Sequence, residues 1–502
     1  MAAGADAYGY VSQVDLWLRG DLHIDQSFGA SVPWPLARWT FTPLGYRPEP
    51  DGYRIVPQYA AGLPLLMAAF KAVAGQCAIF WVVPLCGGAL VFATYAIGRR
   101  IGRPIVGLAA ATIVATSPTL LFMVMAPMSD VPSAAAWTVS IAFALAESPL
   151  AAGVAAGAAI LIRPNLAPAA GIILVWIAWR GTLCGRLAAG QRLKRAACFL
   201  VPAAAGALAV ALFNARLYGS PLASGYDLTD GFSASYILPN VKRYGWWLVT
   251  AETPFALAGL FSLAAPVTRV WRTRESCEAL PFFCAFAAFV WISYLVYVPW
   301  DAWWYLRFLL PVWPLMAIGT ASLLSAAYRS SSRGLRLAAI VTVVGVCSIG
   351  IAQAVQRDAF AIARGEAKYV EVARTVESLT DPDAVIVSAQ HSGSIRYYAG
   401  RLTLRWDVGD PAWLDRTIDW LAAHGHHPYF VLEAQEIDAL RARSDPTNMS
   451  ARLDWAPMVS FRDGAIRMYD GVRREQNGPT VSQPSARLSR ECLAQRPPPV
   501  LR

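Results

Sequence analysis

Two acids and four bases sit in or beside strongly apolar sequence: Asp6, Asp130, Arg163, Lys242, Arg243 and Arg307. A carboxylate held against a hydroxyl can take its proton. Guanidinium and ammonium groups can hold a phosphate and stabilise the charge that develops as it leaves. Aromatic residues adjoin both ends of this set. Tyr8 and Tyr10 follow Asp6 in ADAYGYVSQVDLWLRG, and Trp303, Trp304 and Tyr305 precede Arg307 in PWDAWWYLRFLLPVWP. Such rings can contact a sugar or a lipid. These residue types suit transfer of a group from a phosphate to a hydroxyl. Each has a plainer reading as well. Asp6 can cap the helix that follows it. Asp130, in APMSDVP, stands at a helix start, where the dipole favours an acid. Arg163 can snorkel to the interface and Lys242 and Arg243 to lipid headgroups, and the tryptophans can form an interfacial belt.

Other chemistries find no support. There is no GxGxxG before a helix, no Walker A motif and no HExxH. The eight cysteines include no CxxC, so neither a zinc site nor a disulfide framework is expected. His391, in QHSGS, opens a helix after a strand, and His426-His427 lacks metal-ligand spacing. No cofactor is expected, and a divalent cation stays open.

The elements that must position these residues are membrane helices. The chain has 502 residues, 56% hydrophobic and 15% charged, with mean hydropathy +0.40. Soluble domains carry about 25% charged residues. The fold class expected is a polytopic α-helical membrane protein with a small C-terminal α/β soluble domain. Residues 1–57 read as a first outer loop with interfacial helices, and 58–356 as a transmembrane domain. Residues 357–472 read as an α/β domain and 473–502 as a disordered Pro/Gln/Ser/Arg-rich tail. Ten apolar segments are expected to span: 78–98, 104–123, 130–147, 150–163, 165–180, 196–213, 253–270, 280–298, 308–327 and 337–355. The fourth and fifth are short and are expected to tilt or break at Arg163-Pro164-Asn165. Before them, PQYAAGLPLLMAAFKAVAG reads as an interfacial helix.

Charge fixes an orientation. Alternate connections carry fourteen Lys and Arg, among them Arg99, Arg100, Lys194, Arg195 and Arg333, against five on the other side. Positive excess marks the cytoplasmic face. Asp6, Asp130, Arg163 and Arg307 then share the outer face, with the C-terminal domain. The net charge of +10 is thereby explained without nucleic acid. For the N-terminal arm to reach the outer face, either it is translocated unaided or an upstream transmembrane helix carries it across, and the second is the expectation. In the tail, 384–388, 402–406 and 429–432 read as strands. Residues 457–461 and 465–469 read as a hairpin turning at Arg462-Asp463-Gly464.

The pieces ADAYGYVSQ, QYAAGLPLL, PMSDVPS, LIRPN and RFLLPVWP occur in one order along the chain. In that order they resemble the GT-C glycosyltransferases. The likeness is to the branch of protein O-mannosyltransferases and aminoarabinose transferases, glycosyltransferase family 39. The resemblance implies transfer of a sugar from a polyprenyl-phosphate donor to a lipid, glycan or protein acceptor at the outer face of the cytoplasmic membrane. It matches Asp6 to the family's first-loop catalytic aspartate. Two departures stand out: QYAAGLPLL replaces a tyrosine-proline-proline-glycine pattern, and Ala7 follows Asp6 where the family often has a second acid. Physical argument agrees, because no nucleotide-sugar pool exists outside the cytoplasm. A phosphate leaving group needs little protonation, so the demands are a base and a phosphate anchor. Asp6 is the expected base, with Asp130 next. Arg307 is the expected anchor, with Lys242, Arg243 or Arg163. Single displacement inverts the anomeric centre. A base and an anchor flanking one carbon should lie within roughly 10–12 Å. Two other readings stand beside this one. A transporter or flippase for lipid-linked sugars would place ionisable groups at mid-bilayer, often with repeat symmetry. A non-catalytic assembly scaffold would be indifferent to Asp6→Asn.

Overall fold

The computed structural model describes residues 1–183, 188–226, 231–264, 270–271, 273–473 and 481–483. All ten apolar segments are helical over most of their expected ranges. Among the described residues, four helices are long and apolar enough to cross a membrane: Gln76–Ile101, Ala189–Tyr218, Arg274–Leu295 and Arg333–Gln356. A fifth span counts if Trp303–Leu309 and Trp313–Tyr328, which meet at 88°, are taken together. The remaining apolar helices are shorter than the roughly 20 residues a bilayer needs.

Two expected segments are broken, and the fourth and fifth part where they were expected to, each break lying beside a proline. The segment 104–123 splits into Pro104–Ala115 and Pro118–Met123, with Ser117 capping the second piece. The helix Pro149–Ile162 ends at Arg163, and a 3₁₀ turn at Pro164–Leu166 precedes the helix Ala169–Leu183. The segment expected at 308–327 begins as a 3₁₀ limb, Trp303–Leu309, before the bend. Proline at the first helical position is pre-set for a new helix and cannot continue an old one. These breaks put Arg163 and Arg307 at helix ends, where a side chain can turn into a cavity.

Small residues bring the helices close. The helix Pro149–Ile162 crosses Ala189–Tyr218 at Gly157 and Gly206. An added Cβ at Gly157 would lie 2.5 Å from the Pro202 carbonyl oxygen, and one at Gly206 2.5 Å from the Gly157 carbonyl oxygen. In a membrane such backbone contact replaces the hydrophobic drive that water supplies elsewhere.

The C-terminal sheet has six strands in the order Leu402–Leu404, Val385–Val387, Pro428–Glu433, Ile466–Asp470, Val459–Phe461 and Val481–Gln483. The first three run parallel. Ile466–Asp470 pairs antiparallel with both its neighbours, and its hairpin turn places Arg462, Asp463 and Gly464 at positive φ. Val481–Gln483 pairs parallel with Val459–Phe461, inside the range expected to lack structure. The rest of 474–502 lies outside the described residues. Side chains alternate across the sheet as a period of two requires. Ile386, Tyr429 and Val431 pack on one face with Val372 and Val376 of the helix Ile362–Leu379. Val385, Val387, Phe430 and Leu432 pack on the other with Leu414, Ile418 and Leu440.

That second face is completed from the N-terminal segment, by Trp34, Ala37 and Phe41. Arg396 locks the junction. It is buried, and it donates to the Thr403 hydroxyl, the Gln26 side chain and the Phe41 carbonyl. Burial pushes its guanidinium down to about 10, so it stays charged at neutral pH. Cys77 is disulfide-bonded, which the cysteine spacing did not foretell.

Candidate active site

The first stretch of the chain is a helix, Gly4–Arg19. Asp6 lies in its first turn, but the N-cap is Ala3 and no side chain caps the helix. The capping reading of Asp6 therefore fails. Its carboxylate instead accepts from the Tyr59 hydroxyl at 2.6 Å and from Arg307 Nη2 at 3.4 Å. The side chain keeps 38% exposure. Burial first, and the Asp6 charge next, raise the Tyr59 hydroxyl well above its usual range, so it remains a donor.

Arg307 and Asp6 thus touch, inside the roughly 10–12 Å expected from reacting geometry but without room for a sugar phosphate between them. The reason is charge. Arg307 is also 3.9 Å from Asp130, and Asp130 bonds directly to Arg163. Two acids and two guanidiniums alternate along one line, and opposite charges attract strongly where water is scarce. Asp130 is 3% exposed and fixed between two arginines. Asp6 is the acid with free surface. Both guanidiniums also lie over the Phe308 ring, Arg163 at 5.2 Å and Arg307 at 5.4 Å from its centroid. Arg163 lies over Tyr294 too, and Arg307 over Tyr305. These aromatic faces favour cations and hold two like charges near each other.

The break that carries Arg307 is pinned from behind. Trp313 Nε1 donates to the Ser117 hydroxyl at 3.0 Å. That hydroxyl donates to the buried Glu252 carboxylate at 2.9 Å, which also accepts from the Thr119 backbone. Glu252 ends a one-turn π-helix, Leu248–Glu252, a feature common at functional sites.

The two acids and two guanidiniums face a cavity of about 600 Å³. Asp6, Tyr10, Asp130, Arg163, Tyr305 and Arg307 all line it. Tyr10 donates to Ser129 at 2.8 Å. Five other proposed contacts lie elsewhere. Tyr8 is buried against Tyr46 and Tyr397. Trp303 and Trp304 pack on Phe122, and Arg357 covers Trp303. Lys242 and Arg243 are on the helix Ile237–Trp247 and do not line the cavity; Arg243 reaches Asp301 at 3.6 Å. The helical spacing after residue 236 turned that pair away.

Sequence reasoning missed Tyr59, Met128, Asn165, Tyr226 and Tyr294, which line the same cavity. Tyr59 stood in QYAAGLPLL, and its aromatic hydroxyl three residues before the helix Gly62–Ala74 was the available signal. Among the described residues no three His, Cys, Asp or Glu side chains group as metal ligands.

No protein-family model and no curated protein matches the chain. Solved structures do. ArnT from Cupriavidus metallidurans in the apo state aligns over 95% of each chain with a TM-score of 0.57 and 13% identity. The same protein bound to undecaprenyl phosphate aligns over 94% of each chain, with a TM-score of 0.55 and 12% identity. The archaeal oligosaccharyltransferase AglB from Archaeoglobus fulgidus, with an inhibitory peptide and a dolichol-phosphate, covers 91% of this chain and 69% of its own. Its TM-score is 0.55, at 11% identity. The chain has the GT-C fold. At these identities the likeness is one of architecture, and it matches the architecture that the sequence resemblance implied.

Proposed function

We propose that this GT-C protein is a glycosyltransferase that takes a sugar from a polyprenyl-phosphate carrier. Two neighbours of the same fold hold a polyprenyl phosphate, undecaprenyl phosphate in one and dolichol-phosphate in the other. The observation that carries the reading is the Asp6–Arg307 contact within the cavity. One charge there suits a base and the other a phosphate anchor.

The pairing gives an order of events. A donor phosphate arriving at Arg307 competes with Asp6 for the guanidinium. As it wins, Asp6 is released with only the Tyr59 hydrogen bond. The freed carboxylate then takes the proton of an acceptor hydroxyl as that oxygen attacks the anomeric carbon. The carbon–phosphate oxygen bond breaks, the electron pair leaves with the phosphate, and Arg307 stabilises it. Asp130 keeps Arg307 and Arg163 in place and does not itself take the proton. The excess of positive residues on the opposite connections supports an outer-face site in a cytoplasmic membrane. The acceptor is a lipid, a glycan or a protein.

The test uses the full chain in proteoliposomes with radiolabelled polyprenyl-phosphate sugars. The wild type should release polyprenyl phosphate when acceptor is present. Arg307→Ala should weaken donor binding as well as turnover, because phosphate is held in the ground state too. Arg307→Lys should restore only part, lacking the planar fork. Unchanged donor binding in Arg307→Ala would remove the anchor from the reading.

A further inference from the structure

A second cavity, of about 480 Å³, lies in the N-terminal segment and has no part in the chemistry above. It is lined by Trp34, Arg38, Trp39, Arg47, Glu49 and Tyr53, among others. Its size falls in the range of small-molecule sites.

Trp34 is buried and fixed, its indole N–H donating to Thr40 and its ring packed on Phe41 and Trp420. Trp39 and Tyr53 are 41% and 40% exposed, and neither stacks on another ring among the described residues. Gly29 makes room for Tyr53: an added Cβ would meet its ring at 3.3 Å. Leu36, at the lip, is 54% exposed and sits at φ 60. An exposed leucine gains little burial to offset a left-handed backbone, and such strain gathers where a ligand must be met.

The charges point one way. Arg38 donates to the Glu49 and Pro50 carbonyls, and Arg47 to the Ser224 carbonyl. The Nε of each is buried without a hydrogen-bond partner. A guanidinium has five donors, so each retains capacity. The Glu49 carboxylate does not cancel them, because Arg54 grips it at 2.8 and 3.1 Å. The cavity therefore joins free aromatic faces to net positive charge. Sugars offer the complement: a face of C–H groups that packs on the electron-rich ring face, and hydroxyls for the donors. An acidic sugar also answers the charge.

This cavity adjoins the first. Leu44 and Gly45 line the larger cavity, while Arg47 and Pro48, two residues on, line this one. Tyr218 and Ser224 line the larger cavity and hold Arg47 from its other side, Tyr218 at 5.2 Å by its ring.

We propose that this second cavity binds an acidic saccharide, a carboxylate- or phosphate-bearing segment of the glycan acceptor. Saccharide binding follows from this cavity alone; the acceptor role rests on the glycosyltransferase reading. Equilibrium dialysis of the full chain in nanodiscs with labelled trigalacturonic acid tests it, with maltotriose and inorganic phosphate as competitors. The wild type should retain trigalacturonate. Trp39→Ala and Tyr53→Ala should each weaken it roughly five- to tenfold, the worth of one stacking contact. Trp39→Phe should keep most of the binding, and maltotriose should compete less well than unlabelled trigalacturonate. No retention by the wild type, or equal retention by both alanine variants, would overturn the proposal. So would phosphate competing as well as the sugar, which is anion binding without sugar recognition. Loss of adhesion to anionic vesicles in Trp39→Ala with trigalacturonate binding intact would make the ring a membrane anchor instead. Undecaprenyl phosphate binding to Arg307→Ala, measured in parallel, reads the donor site separately, so either reading can fail while the other stands.

Discussion

Asp6 Oδ2 and Arg307 Nη2 lie 3.4 Å apart, although 301 residues separate them. A helix first turn supplies the carboxylate, and the 3₁₀ limb Trp303–Leu309 before an 88° bend supplies the guanidinium. Each holds the other's charge, so in the reaction proposed above substrate phosphate displaces Asp6 from Arg307 before the carboxylate is free to react. Sensitivity to the neighbours of this pair follows.

Tyr59 donates the other hydrogen bond to Asp6, at 2.6 Å. Tyr59→Phe keeps the ring, which packs on Tyr10 at 4.6 Å, and removes the donor. A hydrogen bond to a charged group is worth about 1.5–3 kcal/mol. Turnover should fall roughly 10- to 100-fold with little change in KM for the donor. Steady-state kinetics with a lipid-linked sugar measure both, and an unchanged kcat would show that Tyr59 does not orient Asp6.

Asp130 neutralises Arg163 and lies 3.9 Å from Arg307 while almost wholly buried. Removing one member of such a group leaves the others uncompensated, at about 3–5 kcal/mol. Asp130→Ala should lower the thermal midpoint in nanodiscs markedly, and Asp130→Asn less. If Asp130→Ala unfolds at the wild-type temperature, the charge chain is not structural.

The architecture was legible because apolar runs and loop charges report it directly. The break at Arg163-Pro164 was written in proline and the tail strands in their alternation, whereas the same proline signal at Ser117-Pro118 went unread and 104–123 was expected to be one span. The side-chain partnerships were not. Arg307 and Asp130 were visible as rare charges in apolar sequence, yet nothing in the spacing said that one guanidinium would meet both Asp6 and Asp130. Lys242 and Arg243 looked equivalent to Arg307 as outer-face cations, but helix phase put them off the cavity. Tyr8 resembled Tyr10, two residues away, and an α-helical turn of about 100° per residue sends the two rings apart.

Gly157 lies where the helix carrying Arg163 meets Ala189–Tyr218. Gly157→Val must push the helices apart, because the contacting atom is backbone, 2.5 Å from the added Cβ. Both thermal stability and turnover should fall, since Arg163 rides on the displaced helix. A variant with wild-type stability would mean that the two helices separate at no cost.

Glu433, in the C-terminal domain, carries a pH dependence. Burial pushes its carboxyl up, but hydrogen bonds from His391 and Lys368 outweigh that and hold it down at about 2. Its folded value lies below the unfolded 4.5. The stabilisation is therefore present above about 4.5 and is lost as the pH falls towards 2. Glu433→Gln should be less stable than wild type at neutral pH, with the gap closing across that interval. Thermal melts at stepped pH follow it, and a gap that stays constant would contradict the assignment.

The central claim is that Asp6 is the base released when phosphate reaches Arg307. Its most direct test is turnover and undecaprenyl phosphate binding by Asp6→Asn in the same proteoliposomes. Asparagine keeps the shape and the Tyr59 hydrogen bond but cannot take the proton. Turnover should fall roughly 10²-fold or more, the worth of a positioned base. Phosphate binding should persist or tighten, because Arg307 no longer has Asp6 to hold. Full turnover by Asp6→Asn, or loss of phosphate binding with it, would contradict the account.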